Sequence, residues 1–211
     1  VIIGGALAGM PTAYLDECLE LGLADLVDRI SYHPYRPVPE KDYEATVADW
    51  QEKIAARNPK VRLWQGENGA PSNGGPRSAG ALSQLPWSET YQAKWLTRRI
   101  LLDLLVAVDM TSYFTMVDLA DYNWGKGASD RTNYKGLLRA TDYSPKQAYF
   151  AYQCLCALFD GKTRKLSDEP AAILETTLEP ERVQYVRGGS FVRNGKMLHT
   201  LWRPGKLPAS L

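Results

Sequence analysis

The chain has 211 residues, 45% of them hydrophobic and 23% charged, with a formal net charge of +1. That is enough material for one sizeable core, or one core with a small module, and it leaves no basic footprint for nucleic acid. The longest apolar stretch, Ile100 to Val108, is interrupted by Asp103 and falls far short of a membrane span. Three cysteines, Cys18, Cys154 and Cys156, offer neither a metal-ligand spacing nor a disulfide framework, and read as buried thiols.

Val1 to Ile3 predicts a buried strand ending at Gly4-Gly5. Pro11 to Leu21 follows as a helix, with Pro11 near its first turn and Gly22 as its stop. Asp28 to His33 is a second strand. Pro39 to Arg57 is a long helix whose apolar Tyr43, Val47, Trp50 and Ile54 recur at helical spacing, and Asn58-Pro59 ends it. Val61 to Gln65 is a third strand. A loop rich in Gly, Ser, Asn and Pro runs from Gly69 to Pro86 and has the length of a functional segment. Ser88 caps a helix from Glu89 to Val106. Met110 to Val117 is a fourth strand, rich in Thr, Tyr, Phe and Val. A second long loop, Asp118 to Thr141, precedes a last helix from Pro145 to Phe159, stopped by Gly161.

Four strand-helix units in succession predict a parallel sheet with helices packed outside. They are too few for a complete (β/α)8 barrel of roughly 250 residues and about right for half of one. After Lys162 the texture changes. Ile173 to Leu178, Val183 to Arg187, Ser190 to Arg193 and Met197 to Trp202 read as short strands, with Gly188-Gly189 and Asn194-Gly195 as turns. The expected division is therefore a half TIM barrel over 1–161 and a small β-sandwich module, complete or truncated, over 162–211. A half-barrel alone exposes two long sheet edges, so a missing N-terminal half or a partner chain is expected to close it. The chain starts without methionine inside the apolar run Val1-Ile2-Ile3, and the expectation is that upstream sequence has been removed. Any export signal would precede Val1, so the compartment is not legible; a secreted or periplasmic setting is compatible.

Glu67 is the residue with the most chemistry attached to it. The strand Val61 to Gln65 delivers this acid into Gly66-Glu67-Asn68-Gly69, where glycines let the backbone turn and a ligand come close. A solvated loop glutamate is the competing explanation. His33, Tyr32 and Tyr35 end the preceding strand. Side chains alternate along a strand, so His33 and Tyr32 cannot both face inward; His33 is expected to, with Tyr35 as a second neighbour able to hydrogen-bond Glu67. Trp64, Trp87, Tyr122 and Trp124 are candidate platforms for the apolar face of a ligand, Trp124 foremost because it lies in a polar loop. Trp50 and Trp95 read as helix-face core. Asp118 and Asp121 are acids able to bind sugar hydroxyls or to serve as solvated turn residues.

Several segments together resemble the clan A glycoside hydrolases, retaining enzymes on TIM barrels, with the closest feel to the β-xylosidase and iduronidase-like family. Gly22-Leu23-Ala24-Asp25-Leu26-Val27-Asp28-Arg29-Ile30-Ser31-Tyr32-His33-Pro34-Tyr35 resembles their sixth strand. Trp64-Gln65-Gly66-Glu67-Asn68-Gly69 resembles the seventh, and Gln92 to Arg99 the helix after it. Ser112-Tyr113-Phe114-Thr115 with Asp118 resembles the eighth strand and its loop. Ser144 to Gln153 resembles the final helix. The resemblance covers nearly the whole chain in the right order. It implies that Glu67 is the catalytic nucleophile, that His33, Tyr35, Asn68, Trp124 and Asp118 line the substrate site, that the substrate is a β-linked oligosaccharide or glycoside, and that no cofactor or metal is needed. It also implies an Asn-Glu acid/base at the end of a fourth strand. No Asn-Glu pair occurs in this sequence, so that residue is expected upstream of Val1. Glu40 and Glu89 read as helix-start acids instead. The alternative is a non-catalytic carbohydrate-binding or assembly half that pairs with another chain.

A dinucleotide site is the rival reading. Val1-Ile2-Ile3-Gly4-Gly5-Ala6-Leu7-Ala8-Gly9 resembles the G-x-G-x-x-G fingerprint, but Ala6 occupies the place of the glycine that must approach the pyrophosphate. Pro11 sits where the phosphate-binding helix should be running, and the next strand ends in Tyr32-His33 rather than an acid for the ribose.

Overall fold

The computed structural model describes residues 1–122, 130–166 and 186–205. A four-stranded parallel sheet is formed by β1 (Ile3–Ala8), β2 (Arg29–His33), β3 (Arg62–Gln65) and β4 (Met110–Thr111), side by side in chain order. Helices α1 (Thr12–Glu20) and α2 (Leu23–Leu26) connect β1 to β2, α3 (Tyr43–Arg57) connects β2 to β3, and α4 (Glu89–Leu105) connects β3 to β4. Helix α5 (Gln147–Leu158) follows. A second sheet, antiparallel, contains β5 (Thr163–Lys165), β6 (Arg187–Arg193) and β7 (Lys196–Trp202). Among the described residues no helix is long and apolar enough to cross a membrane.

The alternation of the strands decides which face meets the helices. Ile30, Tyr32 and Leu63 are buried with Leu15, Leu19, Val47, Trp50 and Ile54 of α1 and α3 in one core. Tyr32 packs edge-on against Trp50, with ring centroids 5.6 Å apart. Arg29, Ser31 and His33, offset by one position, face the other way. A second core gathers Trp95, Leu96, Ile100 and Leu101 of α4 with Ala148 and Leu155 of α5 and Leu137. Ser88 accepts from the Tyr91 N–H at 3.3 Å, as its N-cap position requires.

The boundaries depart from the sequence expectation in three places. Strand β1 does not stop at Gly4-Gly5 but runs to Ala8, with a break in register between Gly4 and Leu7. Gly5 (φ 90°) and Ala6 (φ 49°) form a bulge there, so the glycine bends the strand rather than ending it. Gly9 donates to the His33 carbonyl at 3.1 Å, continuing the strand's course where a nucleotide loop would have left it. Helix α3 begins at Tyr43, not Pro39, because Asp42 adopts φ 56°, outside the helical region.

Strand β4 is two residues long rather than eight. Beyond Ser112 the backbone turns away from the sheet: Thr115 N–H donates to Lys135 O, Leu138 N–H to Met116 O and Asp118 N–H to Leu138 O. The β-prone residues pair with the following loop instead. Of the strands expected after Lys162, Ile173 to Leu178 lies outside the described residues, as does most of Val183 to Arg187. The last two form a hairpin, β6 and β7, through Asn194 and Gly195, both at positive φ. Together with β5, which the sequence reading did not anticipate, they make one sheet of three strands rather than a sandwich among the described residues. That sheet rests on the helical layer. Phe159 meets Phe191 edge-on at 5.0 Å, and the Trp202 indole N–H donates to Glu40 Oε1 at 2.8 Å. Glu40 also receives Arg98 of α4.

The sheet and helices are joined by a buried polar network centred on Asp103 of α4, which is fully buried. Its carboxylate accepts from Arg99 one turn earlier, from Tyr43 Oη at 2.6 Å and from Thr111 Oγ1 at 2.6 Å. Thr111 lies 2.9 Å from Gln65 Oε1, which also accepts from Ser112 N–H at 3.1 Å. Replacing Asp103 by Ala strands the buried Arg99 guanidinium and should lower stability by about 3 kcal/mol or more. Denaturant unfolding of the variant checks this; a loss below about 1 kcal/mol would contradict the network's role.

Candidate active site

The carboxyl-terminal ends of β2, β3 and β4 converge on Glu67. Tyr35 Oη donates to Glu67 Oε1 at 2.6 Å, and His33 Nδ1 lies 3.8 Å from Oε2. His33 is the inward residue of its strand end, and Tyr32 faces the helices. The Glu67 side chain is 36% exposed, so one face of the carboxylate is open while Tyr35 holds the other. Burial, and then the hydrogen bond to Glu67, push the Tyr35 phenol well above its ordinary range. Tyr35 is therefore kept as a hydrogen-bond donor to Glu67.

The glycines beside Glu67 are there for space. A Cβ on Gly66 would sit 2.0 Å from Ser31 Oγ, and one on Gly69 would sit 2.0 Å from the Phe114 carbonyl oxygen. Ser112 Oγ donates to the Gly66 carbonyl at 2.5 Å, and Phe114 N–H to the Asn68 carbonyl at 2.8 Å. The segment carrying Glu67 is thus pressed between the ends of β2 and β4. Gln92 of α4 supports it from below. Its Nε2 shares two N–H donors among the carbonyls of Ala70, Tyr134 and Gly136, at 3.0, 3.3 and 3.1 Å, and the Tyr113 hydroxyl at 3.1 Å.

The other candidates are placed differently. Asn68 is 1% exposed and directs Nδ2 toward Ser112 O at 3.4 Å, so it lies under the site rather than in its open face. Asp118 is also buried. Its Oδ1 is taken by Lys146 Nζ at 2.6 Å and by the Gly136 N–H at 2.8 Å, so this candidate sugar-binding acid is engaged within the fold. A hydroxyl would have to break a desolvated ion pair to reach it. Trp124 lies outside the described residues. Trp87 is core, 2% exposed, with its indole N–H on Leu82 O. Trp64 carries the Arg29 guanidinium 5.8 Å from its ring centroid. Of the remaining acids, Glu40 is held by Arg98 and Trp202, and Glu89 by Arg139. Among the described residues no group of three His, Cys, Asp or Glu side chains converges to hold a metal ion.

Lys135 is a member of this neighbourhood that sequence reasoning missed. It is 1% exposed, its Nζ lies 5.5 Å from the Tyr35 ring centroid, and Glu67 acts on it electrostatically. Nothing in Asn133-Tyr134-Lys135-Gly136 distinguishes it from a solvated loop lysine.

No protein-family model and no curated protein matches the chain. Solved structures do. A family 39 glycoside hydrolase from the gut symbiont Bacteroides cellulosilyticus WH2 is similar over 92% of this chain, with 20% identity and a TM-score of 0.58. The chain shares its fold with a glycoside hydrolase. It spans 38% of the length of that structure. A GH2 β-galacturonidase from Eisenbergiella tayi (18% identity, TM-score 0.48, covering 76% of this chain and 34% of that one) and a β-glucuronidase from Ruminococcus gnavus (22% identity, TM-score 0.43, covering 66% and 24%) are similar over smaller parts.

Gly66→Ala should cost about 1–3 kcal/mol by driving Cβ into Ser31. The Gly66→Ala/Ser31→Ala double variant should recover most of that loss, since the offending atom is a side-chain oxygen. Gly69→Ala meets backbone and has no such rescue. Thermal unfolding of the single and double variants reads the coupling; additive losses would contradict the contact.

Proposed function

We propose that this chain is the nucleophile-bearing half of a retaining β-glycoside hydrolase. In this reading β1 to β4 are strands five to eight of a (β/α)8 barrel, residues 1–161 are the half-barrel, and 162–211 belong to an appended β module. The observation that carries the proposal is Glu67 at the carboxyl-terminal end of a parallel strand, its side chain 36% exposed, with Tyr35 Oη donating to one oxygen at 2.6 Å and His33 Nδ1 3.8 Å from the other. That is the end of the strands where barrel enzymes place their sites.

The chemistry follows from the carboxylate. A carboxylate oxygen of Glu67 attacks the anomeric carbon, the glycosidic bond breaks, and the leaving oxygen takes a proton from a second carboxyl group about 5 Å away. The product is a glycosyl ester on Glu67, which water hydrolyses with the second group acting as base. Tyr35 fixes the rotamer of Glu67, and His33 borders its second oxygen. The second carboxyl group is supplied from outside these 211 residues. An aryl 2-fluoroglycoside that traps the intermediate should label Glu67 in the completed enzyme, as mass spectrometry of its peptides would show. A label on another residue would remove the nucleophile assignment.

Turnover of aryl glycosides by the 211-residue chain alone should be undetectable, because the general acid is missing. Measurable turnover by the purified chain would refute that expectation.

A second reading, an assembly or carbohydrate-binding half that pairs with another polypeptide, is favoured by the edge strand. Ile2 and Ile3 are 62% and 51% exposed beside the unpaired edge of β1. Apolar residues on a bare edge are what a sheet continued by further strands would cover. Size-exclusion chromatography separates the cases: a stable soluble monomer argues against an obligate partner.

A further inference from the structure

Two lysines lie buried in the loops around this site, and they are treated differently by the fold. Lys146, 2% exposed, is matched by Asp118 at 2.6 Å, so its charge is neutralised where it stands. Lys135, 1% exposed, takes part in none of the ion pairs among the described residues. Its Nζ donates to the neutral Asn133 Oδ1 at 3.3 Å and otherwise faces the Tyr35 ring. Burying an ammonium without a carboxylate partner costs stability. Space is nevertheless kept for it. A Cβ on Gly80 would come within 2.8 Å of Nζ, and one on Gly69 within 3.3 Å of Cδ.

We propose that Lys135 is a positioning residue of the candidate active site, whose ammonium seats the Tyr35 ring against Glu67 and supplies the positive charge that this carboxylate faces. The role rests on the reading of Glu67 as nucleophile. Lys135 does not touch the open face of Glu67 and acts through Tyr35 and through the field. A cation over a tyrosine face is attracted by the ring. It also polarises the phenol toward donation, which is the hydrogen bond that Tyr35 makes to Glu67.

Among the described residues the groups around Nζ are few. The loop after β2 brings Tyr35, the end of β3 brings Glu67, the loop of Lys135 itself brings Asn133, and the segments at Gly69 and Gly80 bring no charge. Burial pushes the lysine down to about 8, and the negative charge of Glu67 opposes that fall. The sign for stability follows. The unfolded chain binds the Lys135 proton more tightly than the folded one, so folding is penalised below about pH 8 and the penalty fades as pH rises toward the ordinary lysine range.

The test is an NMR titration of the Lys135 Cε resonance in the full chain, before and after Glu67→Gln. The expected midpoint is near 8, falling by about one pH unit when the carboxylate is removed. An unchanged midpoint in Glu67→Gln, or an ordinary lysine midpoint in the unsubstituted chain, overturns the proposal. This measurement leaves Lys135 intact, so it does not depend on the folding of a lysine variant. Lys135→Met should raise the melting temperature at about pH 7, with the gain gone above about pH 10. The same variant should lose the downfield hydroxyl proton signal of Tyr35, which Lys135→Arg should retain. Persistence of that signal in Lys135→Met removes the positioning role. The outcome is separable from the nucleophile assignment, because a fluorosugar label found elsewhere would leave the coupling between Lys135 and Glu67 measurable.

Discussion

The position of Glu67 depends on a carboxylate that is nowhere near solvent. Asp103 accepts from Arg99, Tyr43 and Thr111, and Gln65, two residues before Glu67, has Oε1 2.9 Å from the same Thr111 hydroxyl. Four elements, α3, α4, β3 and β4, are thereby pinned at one point. Apolar packing between helices and sheet tolerates sliding by fractions of an ångström, whereas hydrogen bonds to a desolvated charge do not. The strand ends inherit their relative heights from this point. The closeness of Gly66 to Ser31 and of Gly69 to Phe114 is meaningful because those heights are fixed from within the helical layer.

A division of labour among polar groups follows. Two buried charge pairs are matched: Arg99 with Asp103 beneath the sheet, and Lys146 with Asp118 in the loops. Around Glu67 the matching is incomplete. The carboxylate has a phenol and an imidazole at its oxygens and an ammonium behind the phenol, and part of its surface is open. Groups whose charge is left partly uncompensated in a partly dry setting are those that chemistry can use. The same contrast separates Asp118 from Glu67, although both are acids at the ends of strand-like segments. Asp118 is satisfied on arrival, and Glu67 is not.

Much of this was legible in the sequence where one physical signal dominated. The helical spacing of Tyr43, Val47, Trp50 and Ile54 marked the face that α3 buries, and all four are in the core. Alternation along Ile30 to His33 separated Tyr32 from His33. Signals failed where a residue type serves two purposes. Gly4-Gly5 looked like a strand end and is a bulge within β1. The β-prone run after Met110 looked like a strand, yet from Thr115 on its hydrogen bonds go to residues 135–138, a pairing between distant segments that no local pattern encodes. Asp103 looked like an interruption of an apolar run and is the hub of the fold. Lys135 was invisible, because burial of a loop lysine is decided by how two loops fold over it.

The Gln92 amide has an implication for how such a site diversifies. One side chain gathers the carbonyls of Ala70, Tyr134 and Gly136, so the roots of the two long loops are tied to a helix and to each other. Inward of those ties, a change of chain length would displace Glu67 or its neighbours. Outward of them, at exposed positions of the first loop such as Asn73, Arg77 and Gln84, the chain can vary without disturbing Glu67. The amide thus draws a border between a fixed framework and an adaptable rim, and variation is free to accumulate on one side of it only.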